Sequence, residues 1–180
     1  TATGFKLTDG YEIFSGLLVR AVGSAVDSYA IGKGTLSAGG NYDIDFTGAD
    51  YVITVRVITV KSSNATKVYG QDDPSVSACV VSVGSLAPGE SIASCVATRA
   101  TGSAVDSYLI TPTEVALAVG SLSNYDITFD TGVFTITKAT VYVTVTAGQT
   151  KVYGQADAVF AYTATGFKLT DGYEIFSGLL

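Results

Sequence analysis

The sequence predicts an all-β protein made of tandem β-sandwich modules of about 81 residues, in which two unlike modules alternate. Three observations support this prediction. An 18-residue segment at Thr1–Leu18 recurs without change at Thr163–Leu180, a shift of 162 positions (163 − 1 = 162). Shorter motifs recur at about half that shift. The runs between turn-forming residues alternate in polarity and are rich in β-branched and aromatic residues, which is typical of half-buried strands.

The repeated motifs define the modules. KVYGQ starts at Lys67 and Lys151, GSAVDSY at Gly23 and Gly102, and NYDI at Asn41 and Asn124. Such self-similarity indicates a repeat architecture. Residues 55–137 contain every motif in order and are predicted to form one complete module, A. Residues 1–54 are then the C-terminal part of a second module, B, and residues 138–180 are the N-terminal part of the next B. One module A and one module B together form a super-repeat of 162 residues. Residues 163–180 then duplicate residues 1–18 because the next super-repeat begins at residue 163. An engineered duplication is the alternative.

Strands are predicted where hydrophobic and polar residues alternate, at 51–60, 133–137 and 141–146. Turns are predicted at the Gly-, Asp-, Asn- and Ser-rich breaks between strands, for example at 8–10 and 37–41. No segment of useful length carries a helical period with capping residues. A module of this size buries one modest core. The lack of a helix favours an immunoglobulin-like sandwich over a compact β-grasp-like module.

The junctions between modules contain no linker rich in Gly, Pro or Ser. Only Lys138–Thr140 separates the last strand of A from the first strand of B, and the run at 51–60 passes from B to A without a break. A flexible tether would have a different composition. The sequence therefore predicts strands that continue from one module into the next, and a stiff array.

Composition and charge exclude several classes of function. Ten Lys and Arg against sixteen Asp and Glu give a net charge of −6, so binding to nucleic acid has no electrostatic basis. No apolar run reaches the roughly 18 residues of a spanning helix, so no membrane insertion is predicted. The absence of His excludes Ser–His–Asp and Cys–His pairs, and the chain is predicted not to be an enzyme. Residues 1–4 are neither an initiator Met nor a signal peptide, so a longer or processed protein is expected.

The motif residues resemble those of the bacterial MBG domain of the YGX type, a tandem repeat of large secreted adhesins. In A the matching positions are Lys67–Gly70 with Asp73 and Pro74, Arg99–Gly102 with Tyr108, Asn124 and Tyr125 with Phe129, and Thr135–Thr137. In B they are Lys151–Gly154, Arg20–Gly23 with Tyr29, Asn41 and Tyr42 with Phe46, and Val52–Thr54. B departs from the pattern with Asp157 and Ala158 in place of Asp-Pro. The resemblance implies an extracellular or cell-surface location and a stalk role, and it brings no catalytic residues.

The two cysteines, Cys79 and Cys95, both lie in module A. An even number of Cys in an acidic secreted chain predicts one disulfide, with two buried free thiols as the alternative. Metal binding by two Cys without His is less favoured, because zinc usually takes four such ligands. Module B has Gly178 at the position of Cys95.

Other polar residues have both a structural and a functional interpretation. Asp residues on turns could hold Ca²⁺ at the module joints, but their spacing matches no defined calcium loop and no cofactor is predicted. These residues are Asp43, Asp45, Asp50, Asp72, Asp73, Asp126 and Asp130. Asn64 begins an N-glycosylation sequon and is a candidate modification site, although most such triplets in bacteria are unmodified. Lys67 and Lys151 are expected to be solvated.

Six tyrosines occupy equivalent sites in the two modules: Tyr29, Tyr42, Tyr69, Tyr108, Tyr125 and Tyr153. They could form a ladder on which glycans stack, but their repetition favours packing roles with each hydroxyl bonded to the backbone. The sequence thus favours a structural, non-catalytic repeat of a bacterial extracellular fibre, filament or surface stalk, with copies of itself as partners. The alternative is an adhesin module that binds a glycan or protein on another cell, which a groove lined by exposed aromatic residues would favour.

Overall fold

The computed structural model describes residues 1–177, and within that range it contains β-strands and three-residue 3-10 helices but no α-helix. The all-β prediction is confirmed. The 3-10 helices are Tyr11–Ile13, Leu122–Asn124 and Tyr173–Ile175. None of the described helices is long and apolar enough to cross a membrane.

The strands lie between residues 19 and 165. They are β1 (Val19–Arg20), β2 (Asp27–Gly32), β3 (Ala49–Ile53), β4 (Arg56–Ser62), β5 (Ala65–Val68), β6 (Cys79–Val83), β7 (Ile92–Arg99), β8 (Ser107–Leu117), β9 (Tyr125–Asp130), β10 (Gly132–Thr137), β11 (Tyr142–Val145) and β12 (Tyr162–Thr165). Within residues 1–177 these strands form four sheets, with the orders β1-β2-β3, β5-β10-β8-β7, β6-β4-β9 and β11-β12. The strands predicted at 133–137 and 141–146 are therefore present as β10 and β11.

The chain divides into two compact units. One contains Thr1–Val57 with Ser121–Asp126, and the other contains Ile58–Gly120 with Ile127–Leu180. The first boundary lies three residues from the predicted start of module A, and most of that module shares its unit with the residues that follow it. The division into modules A and B stays a prediction.

The strands between residues 56 and 137 form a four-stranded and a three-stranded sheet, as a β-sandwich requires. Ile110, Phe134 and Ile136 are almost completely buried and form the core cluster of the four-stranded sheet. In β4 of the three-stranded sheet, Ile58 and Val60 are also almost completely buried. Alternate residues of β4 and β10 are buried, which is the period expected when one face of each strand is covered.

The small sheet β1-β2-β3 repeats three strands of the larger sheet with the same register. Arg20 lies opposite Ile31 and Tyr29 opposite Tyr51, as Arg99 lies opposite Ile110 and Tyr108 opposite Phe134. Thus β1, β2 and β3 correspond to β7, β8 and β10. The repeat seen in the sequence is also a repeat in strand pairing.

The two copies of the duplicated segment have the same backbone conformation. Leu7 and Leu169 both have a positive φ, of 56° and 55°. Each copy forms a 3-10 helix whose preceding glycine N–H donates to a Glu side chain, Glu12 in the first copy and Glu174 in the second. The segment therefore keeps its local structure in two different surroundings.

The prediction of one unbroken strand from B to A was wrong. Residues 54 and 55 separate β3 from β4, and the two strands belong to different sheets. The physical reason lies in the side-chain alternation of a strand. The partly covered residue at the end of β3 is Ile53, an odd position, whereas β4 buries the even positions Ile58 and Val60. A two-residue break allows the core-facing positions to change from odd to even.

Candidate functional site

An arginine on the edge strand β7 lies over two aromatic rings of the central strands β8 and β10 of the four-stranded sheet. Arg99 ends β7, and its Cζ lies 4.8 Å from the centroid of the Phe134 ring and 5.4 Å from that of Tyr108. A guanidinium in this position interacts favourably with the ring faces. The Arg99 side chain also donates to the backbone O of Ala100 at 2.7 Å. The arginine of the repeated motif therefore links two strands and the core.

Asp73 binds this arginine and a lysine at once. One carboxylate oxygen lies 2.5 Å from Nε of Arg99 and the other lies 2.6 Å from Nζ of Lys67. Hydrogen bonds from Arg99 and then Lys67 lower the pKa of Asp73 from 3.8 to about 2. The expectation that Lys67 is solvated was wrong, because its side chain is only 11% exposed. Its Nζ also donates to the backbone O of Gln71 at 2.9 Å.

The same arrangement recurs in residues 19–54 without the carboxylate. Cζ of Arg20 lies 4.9 Å from the Tyr29 ring centroid and 5.3 Å from that of Tyr51. In the C-terminal part of the chain, Nζ of Lys151 lies 2.5 Å from the carboxylate of Asp157. Asp157 therefore takes the position of Asp73 even though the proline that follows is missing.

The tyrosines of the GSAVDSY motif have a packing role. The Tyr108 hydroxyl donates to the backbone O of Ala104 at 3.0 Å, and the Tyr29 hydroxyl donates to that of Ala25 at 2.9 Å. A Cβ at Gly102 would overlap the Tyr108 ring, so the motif requires glycine at this position. These two tyrosines agree with the packing interpretation rather than with a glycan ladder.

The YGX motif of residues 69–71 contacts the segment that follows module A. Tyr69 packs against the core cluster and also lines a shallow cleft of about 200 Å³ together with Phe167, Lys168 and Asp171. Partial burial, and then the Asp171 carboxylate, raise the pKa of Tyr69. Gly70 has a φ of 82°, and a Cβ there would lie 2.6 Å from Cβ of Lys168. The glycine thus lets the two segments approach closely.

Two other repeated motifs meet at the junction that precedes module A. The backbone N–H of Val26, in GSAVDSY of residues 23–29, donates to the side-chain O of Asn124 at 2.9 Å. Asn124 opens the NYDI motif of residues 124–127. Sequence analysis missed both junction contacts. One feature of the sequence could have indicated these contacts: the motifs have the same polar residues in both modules, yet they form no pattern typical of a catalytic site.

Cys79 and Cys95 are joined by a disulfide. Their Cα atoms lie 5.9 Å apart, within the usual range for a bridge. Cys79 begins β6 and Cys95 lies in β7, so the bond connects the two sheets of residues 56–137. Gly178, the module B counterpart of Cys95, lies outside the described residues.

Asn64 has a structural contact that sequence analysis missed. It is exposed in the turn between β4 and β5, and its side-chain O accepts from the backbone N–H of Val133 at 2.9 Å. This bond ties the turn to β10. Glycosylation of Asn64 stays a prediction.

The acidic residues considered for calcium do not converge in the part of the chain that the structure describes. No group of three Asp, Glu, Cys or His side chains with metal-binding geometry lies within residues 1–177. Asp130 instead pairs with Lys61 at 3.1 Å, and this hydrogen bond lowers the pKa of Asp130. Asp73 pairs with Lys67 and Arg99, as described above.

The comparisons with known proteins identify a family. The model of the MBG domain (YGX type) matches residues 1–52 and 58–135. No curated protein matches the chain. No solved structure matches it either.

Proposed function

The chain belongs to the MBG domain family of the YGX type, and from this premise we propose that it is a mechanical, non-catalytic repeat of a bacterial surface stalk or extracellular fibre. The family consists of structural repeats and is typical of extracellular surface proteins. The disulfide between Cys79 and Cys95 agrees with an oxidising, extracellular environment.

One observation supports the stalk role above all: the repeated motifs make the contacts at both junctions. Tyr69 and Gly70 contact the segment after module A, and Asn124 accepts a hydrogen bond from Val26 in the segment before it. Motifs that served a ligand site would instead gather around one pocket. Residues that join neighbouring segments are what a tandem array needs, since each repeat contacts mainly its neighbours.

The connection after module A is short and partly covered. Only residues 138–141 separate β10 from β11. Lys138, Ala139 and Val141 line the cleft that also contains Tyr69. A junction whose connecting residues pack in this way resists bending more than a Gly- and Ser-rich tether does. This supports a stiff array over a chain of independent binding modules.

Electron microscopy of the native material tests the proposal. The longest of the described strands, β8, has 11 residues. At a rise of about 3.3 Å per residue it spans about 35 Å, so a super-repeat of two modules placed end to end should advance the axis by about 70 Å. We expect stiff rods with this repeat. An array with a Gly-Ser insertion after Lys138 is the control and should show bends. Isolated globular particles, or flexible tethers in the unmodified material, would contradict the proposal and favour the adhesin alternative.

A further inference from the structure

Strands β5 and β10 lie side by side in module A and run in the same direction. The chain enters the module through β4 and β5 and leaves it through β10. Tension along a stalk therefore pulls the start of β5 and the end of β10 in opposite directions. In a parallel pair these two points lie at opposite ends, so the pull slides one strand along the other. All bonds between the strands then resist the tension together.

An antiparallel pair in the same place would be weaker under tension. The start of its first strand would lie beside the end of its last strand, and the pull would open the bonds one after another. In module A the parallel register runs from Ala65 opposite Phe134 to Val68 opposite Thr137. The evenly spaced hydrogen bonds of a parallel pair are thus stretched along this whole register at once.

Two further hydrogen bonds extend the contact beyond both ends of β5. Before β5 begins, the side-chain O of Asn64 accepts from the backbone N–H of Val133 at 2.9 Å. After β5 ends, the backbone N–H of Tyr69 donates to the backbone O of Thr137 at 2.8 Å. The bonded contact is therefore longer than the strand itself, which has only 4 residues.

Two threonine side chains add bonds between the same strands. Oγ1 of Thr66 in β5 donates to the backbone O of Thr135 at 3.0 Å. Oγ1 of Thr137 in β10 donates to the backbone O of Lys67 at 3.2 Å. Both threonines are exposed, so these bonds contribute little to the core. What they add is a connection from each strand to the other.

Both strands of the pair are fixed to the rest of the module. In β10, Phe134 and Ile136 are almost completely buried in the core cluster. In β5, Lys67 binds Asp73, which also binds Arg99 at the end of β7. Since β5 and β7 are the two edges of the sheet, Asp73 connects them across β10 and β8. The module can therefore extend only if β5 and β10 slide apart.

We infer that the pair of β5 and β10 is a mechanical clamp, which holds module A folded when tension acts along the chain. Its hydrogen bonds must break together, so the clamp determines the rate of unfolding under tension. The inference rests on the proposed stalk function. It adds which strands resist the tension and the direction in which they are strong.

Single-molecule force measurements on the full chain test the clamp by changing only the direction of the pull. Handles attached at Val55 and Lys138 apply tension as a stalk would and shear the pair. Handles attached at Asp72 and Lys138 lie past the same ends of β5 and β10 and peel the strands apart. At equal tension, module A should unfold at least about tenfold more slowly under shear, since several hydrogen bonds then break together. Equal rates, or faster unfolding under shear, would overturn the inference.

The disulfide identifies the unfolding of module A in these records. The 16 positions between Cys79 and Cys95 cannot extend while the bond is intact, so reduction should lengthen the unfolding step by about 50 Å. Only steps that show this change are assigned to the module. A module A that extends gradually, without such a step at any tension, would also contradict the clamp.

Removal of the threonine bonds tests the clamp within the shear direction. Thr66→Val combined with Thr137→Val should raise the rate of unfolding at a fixed tension by at least about fivefold. Thr98→Val is the matched control, because Thr98 is exposed in the same sheet but pairs with β8 and not with β10, and it should change the rate by less than about twofold. An equal effect in the two variants would overturn the inference. Rods seen by electron microscopy would leave the stalk proposal standing in that event.

Discussion

The guanidinium of Arg99 lies 4.8 Å from the centroid of the Phe134 ring, which is completely buried. This places a charged group directly against the centre of the core. The charge is tolerated because Asp73 and the Ala100 carbonyl accept hydrogen bonds from the guanidinium. The arrangement explains why both Arg99 and its counterpart Arg20 are arginines rather than lysines, since the planar group can stack and donate at the same time.

We therefore expect Arg99→Ala to lower the free energy of unfolding by about 1–2 kcal/mol, through loss of the contact with Phe134 and of packing by the arginine stem. Arg99→Lys should retain part of the charge pairing but not the stacking. Its free energy of unfolding should therefore lie between those of the unmodified protein and Arg99→Ala. Urea denaturation measures both. Arg20→Ala is the matched control, because Arg20 also lies over two rings but has no carboxylate partner within residues 1–177, and it should cost a similar amount. An unchanged stability in Arg99→Ala would contradict the role of the contact with Phe134.

The pH dependence of stability should contain a contribution from Asp73. Its pKa is lowered from 3.8 to about 2 in the folded state, so between these values the unfolded chain binds more protons. The contribution is therefore complete above about pH 4 and is lost as the pH falls towards 2. Asp73→Asn should reduce the fall in stability over this window. Asp72→Asn changes the charge equally at the neighbouring position, and the same reduction in that variant would contradict the assignment to Asp73.

The disulfide should stabilise module A through the loop that it closes. Cys79 and Cys95 are 16 positions apart, and a loop of this size contributes about 3 kcal/mol by restricting the unfolded chain. Urea denaturation with and without a reducing agent should show a loss of this order. The double variant Cys79→Ser with Cys95→Ser should behave like the reduced protein and should not respond to the reductant. A stability that reduction leaves unchanged would contradict the role.

Much of this fold follows from the sequence because its strongest signal is repetition. Alternation of side chains predicts β10 and β11, and the repeated motifs predict that Arg20 and Arg99 lie against equivalent rings. The break after Ile53 could not be predicted in this way, because polar and apolar residues alternate in both β3 and β4. Only the burial of the side chains shows that the covered positions change from odd in β3 to even in β4. Contacts such as that of Gly70 with Lys168 depend on how two segments pack, which local patterns do not contain.

The two glycines of the YGX motifs provide a test of the junction after module A. Gly70 and Gly154 have similar positive φ values, 82° and 87°, so a change to Ala strains the backbone equally at both sites. Their surroundings differ. A Cβ at Gly70 would meet the Lys168 side chain, whereas a Cβ at Gly154 would have no atom within 4 Å.

We expect Gly154→Ala to cost about 1 kcal/mol and to affect only its own turn. Gly70→Ala should have the same local cost and should also separate the YGX turn from residues 166–171. Hydrogen exchange measured by mass spectrometry should then be faster at residues 166–171 in Gly70→Ala than in Gly154→Ala. This comparison cancels the backbone strain, so the difference reports the contact alone. Equal exchange in the two variants would show that Gly70 serves its turn and not the junction.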